Sequence, residues 1–232
     1  MISLDLDDTL WPVAPAIADA ERRLLDWLQA MHPRAAAGHD VESMRALRAA
    51  AAERLPERAH DLTFLRRHAL DAQFGAAGYP PGRERAAAVD AAFEVFYAAR
   101  NRVRLYEDVR PALARLRTRH RLYAVSNGNA DLARCGVADL FDGHITARSA
   151  GAAKPDARIF AELLRAAGVP PGSVLHVGDD PLADVVGAQR AGLHAVWLNR
   201  DERRWPEEFS PPPRTVVTLE QLAEHPIGAV RT

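Results

Sequence analysis

Two patterns of hydrophobic and polar positions alternate along the chain. From about residue 15 to about residue 102, apolar side chains such as Leu24 and Leu28 recur at helical spacing among Ala, Arg and Glu residues. Runs of β-branched residues are almost missing there, as expected for helices. Proline or glycine interrupts the pattern at residues 32–38, 55–56 and 75–82. We therefore predict four helices joined by short connections, that is, a four-helix bundle.

In the rest of the chain, short apolar runs alternate with amphipathic stretches. The runs are Ile2–Leu6, Leu122–Val125, Val174–Val177, Ala195–Leu198 and Val216–Val217. Alternation of strand and helix predicts a parallel sheet with helices on both faces. We therefore predict an α/β core formed by residues 1–12 and 103–232, with a helical domain of residues 13–102 inserted after the first strand.

The composition is that of an ordinary globular protein, and its charges nearly cancel. The 232 residues include 30 Lys and Arg against 31 Asp and Glu, a net charge of −1. This balance argues against a general attraction to nucleic acid or to an anionic membrane. Without a secretory signal or a run of about 18 apolar residues, we expect a cytoplasmic monomer or homodimer that binds a small molecule. The single cysteine, Cys135, excludes a disulfide scaffold and is expected to be a small buried residue.

Polar residues follow the first two predicted strands at their carboxyl ends, where open parallel sheets bind ligands. Asp5 and Asp7 follow the first strand. Their spacing in extended chain points both carboxylates to one side, where they repel unless a cation lies between them or one holds a proton. Ser126 and Asn127 follow the second strand, in a glycine-containing turn whose backbone N–H groups could contact an oxyanion.

Two later segments complete a candidate site. Lys154 precedes a predicted helix and would supply a fixed positive charge. The strand at residues 174–177 is followed by Asp179 and Asp180, and Asp184 lies about one helical turn onward. The neighbouring imidazole of His176 lies within this strand, where we expect it to be a core histidine rather than a ligand.

The candidate site has the charges expected for a magnesium-dependent reaction at phosphorus. The carboxylates of Asp5, Asp7 and Asp179 are hard oxygen donors that suit Mg²⁺, and the chain has no Cys or His cluster at zinc-ligand spacing. Without a cation these groups and Asp184 would repel a phosphate dianion, even with Lys154 present. With the cation, Asp5 could attack phosphorus to form an aspartyl phosphate. Asp7 would protonate the leaving alkoxide and then activate the hydrolytic water.

The residues that carry this chemistry resemble the four ordered motifs of the haloacid dehalogenase-like hydrolase superfamily. They are Asp5-x-Asp7-x-Thr9, Ser126, Lys154 and Gly178-Asp179-x-x-x-x-Asp184. The resemblance covers the whole chain and implies a Rossmann-like core, with residues 13–102 as a mobile helical cap of the C1 type. It implies that Mg²⁺ is held by Asp5, the backbone carbonyl of Asp7 and Asp179.

The resemblance also implies roles for the remaining motif residues. The groups expected on the substrate phosphate are Thr9, Ser126, Asn127 and Lys154. Asp184 would either bind the metal or support its ligands, and the neighbouring Asp180 is an alternative ligand to Asp179. The spacing to Asp184 favours Asp179.

A closer resemblance concerns the substrate. The sequences around Asp7, Ser126, Asp179 and His60-Asp61 are similar to those of bacterial phosphatases that act on flavin mononucleotide and 5-amino-6-(5-phospho-D-ribitylamino)uracil in riboflavin synthesis. Trp11, just beyond the first motif, is the best candidate to pack on such a heterocycle. Further candidates in the helical domain are His60, Phe64, Arg66, Arg67 and Arg100.

Three alternative functions remain open. A 2-haloacid dehalogenase would use the same nucleophile without a metal, but Asp7 and Asp179 would then repel its anionic substrate. A phospho-receiver module also uses Asp, Mg²⁺, Ser or Thr and Lys, but in another order and without an inserted helical domain. The third alternative is a binding protein whose catalytic site has decayed, although no essential residue is missing.

Overall fold

The chain forms a parallel sheet with flanking helices and a separate helical unit. A computed structural model describes residues 1–224. Its two compact units are Met1–Pro12 together with the chain from Arg104 onward, and Val13–Val103. The helical unit ends at Val103, one residue beyond the expected end at residue 102.

The sheet of the first unit confirms the α/β fold. Its strands are β1 (Ile2–Leu4), β2 (Leu122–Ser126), β3 (Gly143–Thr146), β4 (Leu175–Gly178), β5 (His194–Leu198) and β6 (Arg214–Val216). All neighbouring pairs are parallel, in the order β3-β2-β1-β4-β5-β6. Strands β1, β2 and β4 are fully buried, which explains why the sequence shows them as continuous apolar runs. Because β1 lies between β2 and β4, the carboxyl ends of these three strands meet at one edge.

The helices of the same unit differ in length. They are α6 (Val109–Arg117), α7 (Ala147–Ala150), α8 (Ala157–Ala167), α9 (Gly187–Arg190) and α10 (Leu219–Glu224), and a π-helical turn at Pro181–Val186 precedes α9. The apolar face of α8 places Ile159, Phe160 and Leu163 in a cluster with Val125 of β2 and Ile145 of β3. Burial of this face against the sheet stabilises the helix and fixes the loop that precedes it.

The helical unit contains the four long helices expected from the sequence and one additional turn. Its elements are α1 (Val13–Met31), α2 (Pro33–Ala36), α3 (Val41–Arg54), α4 (Leu62–Ala76) and α5 (Arg83–Arg100). The short α2 begins at Pro33, so a proline that ends one helix also begins another, at the helix position that proline tolerates best. The core of the unit includes Leu24, Leu28, Phe74 and Phe96.

Several side chains proposed to contact a substrate are engaged inside the helical unit. Arg66 is buried, pairs with the buried Glu21 at 3.5 Å, and lies 3.4 Å from the ring centre of Phe96. Burial lowers the pKa of Arg66 to about 10. Arg67 pairs with Asp90. The contacts of the buried Arg66 give it a role in packing this unit, whereas the pair of Arg67 with Asp90 is exposed.

Candidate active site

The loop after β1 carries the two aspartates of the first motif. Asp5 is buried, and its backbone N–H donates to the carbonyl of Val177 in β4 at 2.9 Å. The chain then turns sharply, because Asp8 has a positive φ of 60° and its N–H donates to the carbonyl of Trp11 at 2.7 Å. Asp7 and Trp11 face each other across this turn as a bridge pair. The turn therefore fixes the backbone on both sides of Asp7.

The residues at the end of β2 provide a hydroxyl group and hold the backbone of Lys154. Ser126 is buried, and its Oγ accepts a hydrogen bond from the N–H of Gly128 at 2.9 Å. The side chain of Asn127 donates to the carbonyl of Lys154 at 2.9 Å and accepts from the N–H of Lys154 at 2.7 Å. Asn127, expected on the substrate phosphate, lines the cleft and also holds the backbone of Lys154, so its contact with the phosphate stays a prediction.

Lys154 connects the first and fourth motifs. Its Nζ lies 2.5 Å from Asp5 Oδ1, 2.6 Å from Asp184 Oδ1 and 2.8 Å from the carbonyl of Val125, so its three donors have three acceptors. Burial alone would lower the pKa of Lys154, but Asp184 and Asp5 raise it above its ordinary value. The buried ammonium therefore stays charged and holds both carboxylates.

Asp184 has two further hydrogen-bond partners. Its Oδ2 accepts from the N–H of Asp180 at 3.0 Å, and its Oδ1 lies 3.2 Å from His176 Nε2. The other ring nitrogen of His176 lies 2.8 Å from Ser3 Oγ. A Cβ atom at Gly178 would lie 2.2 Å from Asp184 Cγ, so only glycine permits this approach. His176 is fully buried as expected, and its contact with Asp184 is a role that the sequence did not reveal.

Asp179 faces the same edge and is fixed by its backbone. Trp197 Nε1 and the guanidinium of Arg203 each donate to its carbonyl at 2.8 Å, and Thr9 Oγ1 donates to its Oδ1 at 3.2 Å. Thr9, expected on the phosphate, supports this carboxylate in the structure, and its contact with the phosphate stays a prediction. Asp180 instead accepts from the N–H groups of Leu182 and Ala183 and caps the following helical turn. Asp180 also lines the cleft, and its place as an alternative ligand to Asp179 stays a prediction.

Asp5, Asp179 and Asp184 form an acidic cluster that fits Mg²⁺. One carboxylate oxygen from each lies within 4.8 Å of the others. Burial raises the pKa of Asp5 well above its ordinary value, and burial together with Asp184 and Asp8 raises that of Asp179 to about 7. Burial alone would also raise the pKa of Asp184, but Lys154 and His176 lower it below its ordinary value. Such a group of clustered hard oxygen atoms is stabilised by a divalent cation.

The cluster lines a small cleft of about 210 Å³. Six carboxylate side chains line it, against the single ammonium of Lys154. They belong to Asp5, Asp7, Asp8, Asp179, Asp180 and Asp184. Neither an aromatic nor an arginine side chain lines it, so this cleft has groups for a phosphoryl group and a cation but none that would stack on a heterocycle.

Trp11, expected to contact the substrate, lies behind the cleft. It has no exposed surface, and its Nε1 donates to Asp7 Oδ1 at 2.8 Å. This hydrogen bond joins Trp11 to the Asp7 carboxylate, and a contact between Trp11 and a substrate stays a prediction.

Comparison with known proteins places the chain among hydrolases. Residues 1–192 match the family model described as haloacid dehalogenase-like hydrolase. The 5-amino-6-(5-phospho-D-ribitylamino)uracil phosphatase YigB of Escherichia coli is 34% identical over 85% of this chain and 82% of its own length. Phosphoserine phosphatase of Thermus thermophilus is 38% identical over 58% of this chain and 55% of its own length.

The structure is also similar to solved hydrolases. A protein from Pseudomonas syringae described as a 2-haloacid dehalogenase is 38% identical, with a TM-score of 0.90 and coverage of 96% of both chains. Within residues 1–224, none of the helices has the length and apolarity needed to cross a membrane.

Proposed function

This chain belongs to the haloacid dehalogenase-like hydrolases, and we propose that it is a Mg²⁺-dependent phosphomonoesterase that acts through an aspartyl phosphate on Asp5. The relatives at 34% and 38% identity are phosphatases, and the chain is an enzyme of this group. Its substrate is a small phosphorylated metabolite, with neither nucleic acid nor membrane as a partner. A cytoplasmic location and a monomeric or homodimeric state stay predictions.

The charge of the cleft is the observation that carries this proposal. Six carboxylates face one ammonium, so a phosphate dianion would be repelled from the cleft as it stands. Asp5, Asp179 and Asp184 would hold a divalent cation that offsets part of this repulsion, while Lys154 holds the nucleophile. Bound there, with the backbone carbonyl of Asp7 as a further ligand, Mg²⁺ would neutralise phosphoryl oxygens and so lower the barrier to attack by an anion.

The chain's own residues would then carry out the reaction in two steps. Lys154 holds Asp5 Oδ1 at 2.5 Å and so fixes the orientation of the carboxylate whose oxygen attacks phosphorus. A bond forms between that oxygen and phosphorus as the bond to the substrate oxygen breaks, and Asp7 donates a proton to the leaving alkoxide. Asp7 then takes a proton from the water that hydrolyses the aspartyl phosphate, which releases phosphate and restores both residues. Ser126, buried at the same edge, would contact a phosphoryl oxygen.

The substrate that we propose belongs to riboflavin metabolism. The relative in Escherichia coli is named for a ribitylaminouracil phosphate, and flavin mononucleotide carries the same phosphoribityl group. A cleft of about 210 Å³ suits the phosphoryl end of such a compound. The heterocycle must then be recognised by residues outside the cleft, because the cleft lining has no aromatic side chain.

A dehalogenase is the second candidate, because the Pseudomonas syringae structure carries that description. A haloacid carboxylate would meet the same repulsion as a phosphate. A metal-free displacement at carbon offers nothing to offset the carboxylates of Asp7, Asp8 and Asp179. The charge of the cleft therefore favours phosphate transfer.

Phosphate release separates these candidates. We expect purified protein to release phosphate from both flavin-pathway compounds in Mg²⁺ and to lose at least about 99% of this activity in EDTA. We expect Asp5→Asn to abolish turnover, and a variant distant from the cleft, Glu162→Gln, to serve as the matched control. If phosphate were released from sugar phosphates and nucleotides as fast as from the flavin-pathway compounds, the proposed substrate would be contradicted. Halide release from 2-haloacids without any phosphate release would contradict the proposed mechanism.

A further inference from the structure

We infer that Trp11 is a positioning residue for Asp7, and that its indole N–H determines which carboxylate oxygen of Asp7 exchanges the proton during turnover. This inference rests on the proposed function, in which Asp7 is the acid and base. It gives Trp11 a role that differs from substrate stacking.

The geometry of the turn makes the contact specific. Trp11 Nε1 lies 2.8 Å from Asp7 Oδ1, and the two residues are bridge partners. The turn between them is held at several points, since the N–H of Asp8 donates to the carbonyl of Trp11 and the N–H of Leu10 donates to the carbonyl of Leu6, both at 2.7 Å. These bonds fix the backbone that carries both side chains, and full burial restricts the indole to its place beside the carboxylate.

The chemistry of the two groups then selects an oxygen. An indole N–H can donate but cannot accept, so Oδ1 must act as an acceptor in this hydrogen bond. A carbonyl oxygen accepts more strongly than a hydroxyl oxygen, so this bond favours the proton of Asp7 on Oδ2. A carboxyl group free to rotate would present either oxygen, whereas this one presents Oδ2 to the leaving group and later to water.

Burial makes the contact costly to lose. Trp11 is fully buried, and an indole N–H without an acceptor in such a place costs about 1–3 kcal/mol. The bond therefore orients Asp7 and satisfies Trp11 at the same time. Trp197 of β5 makes a comparable bond to the carbonyl of Asp179, which shows that buried indoles serve this site as hydrogen-bond donors.

The test compares formation of the aspartyl phosphate with its hydrolysis. Trp11→Phe keeps an aromatic ring but removes the N–H, and Trp27→Phe in the helical unit is the matched control. Using p-nitrophenyl phosphate, whose leaving group needs little protonation, we expect Trp11→Phe to lower steady-state turnover about 10-fold or more. The burst of p-nitrophenol, one per active site, should remain and grow more distinct, because hydrolysis depends on the base and attack by Asp5 does not. A general loss of structure would lower burst and turnover together.

A double mutant separates action through Asp7 from other effects. In an Asp7→Asn background we expect Trp11→Phe to change phosphoenzyme hydrolysis by less than about 2-fold, because the group that it orients is already gone. Equal effects in both backgrounds would overturn the inference. Turnover of Trp11→Phe equal to that of Trp27→Phe would overturn it as well.

A spectroscopic measurement covers the case in which Trp11→Phe does not fold. With ¹⁵N-labelled indoles, we compare the spectra of wild-type protein and of the Asp7→Asn variant. We expect the substitution to shift one of the four indole N–H resonances far more than the others. Equal shifts at all four would overturn the inference. A wild-type protein that releases no phosphate would overturn the proposed function. If the wild type turns over normally and Trp11→Phe has the same turnover as the wild type, the inference alone is overturned.

Discussion

Carboxylates of one residue type acquire different properties within this cleft because their neighbours differ. Asp184 receives hydrogen bonds from Lys154 and from the N–H of Asp180, which favour its charged form. Asp179 has burial and other carboxylates as its main influences, and its pKa rises to about 7. The sequence alone shows only that these residues are acidic. Their individual roles come from contacts between segments far apart in the chain.

The raised pKa of Asp179 predicts that magnesium binding strengthens with pH. A carboxyl group must lose its proton to bind the metal, and the proton on Asp179 is held up to about pH 7. The pKa of Asp5 is raised as well, which acts in the same direction, whereas the low pKa of Asp184 adds nothing here. We expect the dissociation constant for Mg²⁺, measured by calorimetry, to fall about 10-fold between pH 6 and pH 8 and to level off above pH 8. A constant affinity from pH 5.5 to 8.5 would contradict the assignment of these ligands.

Removal of the Lys154 ammonium should lower the free energy of unfolding more in the absence of metal than in its presence. Lys154→Met would leave Asp5 and Asp184 buried without their counter-ion, and loss of one partner of a buried pair costs about 3–5 kcal/mol. Because a divalent cation can offset the same two charges, we expect the loss of unfolding free energy to be smaller in Mg²⁺ than in EDTA. Urea denaturation in both conditions measures this difference, and equal losses would show that the cation does not lie beside these carboxylates.

At the scale of elements, strand ends determine what the site contains. The buried strands β1, β2 and β4 were predicted from their apolar runs, and the sheet confirms that their carboxyl ends meet at one edge. The side-chain contacts of Trp11, His176 and Trp197 could not be predicted, because each joins an apolar or weakly polar residue to an aspartate across a turn or from another segment. Trp11 and His176 contact carboxylates, and Trp197 contacts a backbone carbonyl. Neither spacing nor composition marks such a contact.

The helical elements show the same limit. Four long helices follow from helical periodicity and from the breaks at proline and glycine. The short α2 was missed, because four residues are too few to show a period. The internal pairing of Arg66 was missed as well, since an arginine on an amphipathic helix is usually solvated.

The end of β4 gives a prediction about Gly178. A methyl group there would lie 2.2 Å from Asp184 Cγ and would displace that carboxylate. We expect Gly178→Ala to lower Mg²⁺ affinity at least 10-fold and to lower the free energy of unfolding by about 1–3 kcal/mol, the usual cost of overpacking. Gly172→Ala is the matched control, because a methyl group at Gly172 meets no atom within 4 Å. Normal Mg²⁺ affinity in Gly178→Ala would show that Asp184 is not needed for metal binding.

At the scale of the whole molecule, the metal site connects strands from the two ends of the chain. Asp5 lies in the first segment of the α/β unit, whereas Asp179 and Asp184 lie in its second segment. A ligand that binds only when these strands are paired stabilises the pairing by mass action. At 100 times its dissociation constant, Mg²⁺ would add about 2.7 kcal/mol to the free energy of unfolding of this unit.

This coupling predicts a melting temperature that depends on magnesium. For a protein of this length, about 2.7 kcal/mol corresponds to roughly 5–10 °C. We therefore expect the melting transition of the α/β unit to rise by that amount between EDTA and saturating Mg²⁺, as measured by calorimetry. The Asp179→Asn variant should show little or no rise, and an equal rise in this variant would contradict its role as a ligand.

The central position of β1 also has a consequence for synthesis on the ribosome. Its partners in the sheet begin at Leu122 and Leu175, so more than a hundred residues must be translated before Ile2–Leu4 can pair with either. At about 5–20 residues per second, this wait lasts on the order of ten seconds. During that time the helical segment emerges complete, with a core of its own, while the apolar strand beside the nucleophile has no hydrogen-bonded neighbour. The carboxylates of the proposed metal site, those of Asp5, Asp179 and Asp184, are therefore brought together late in translation, after the ribosome has passed Asp184.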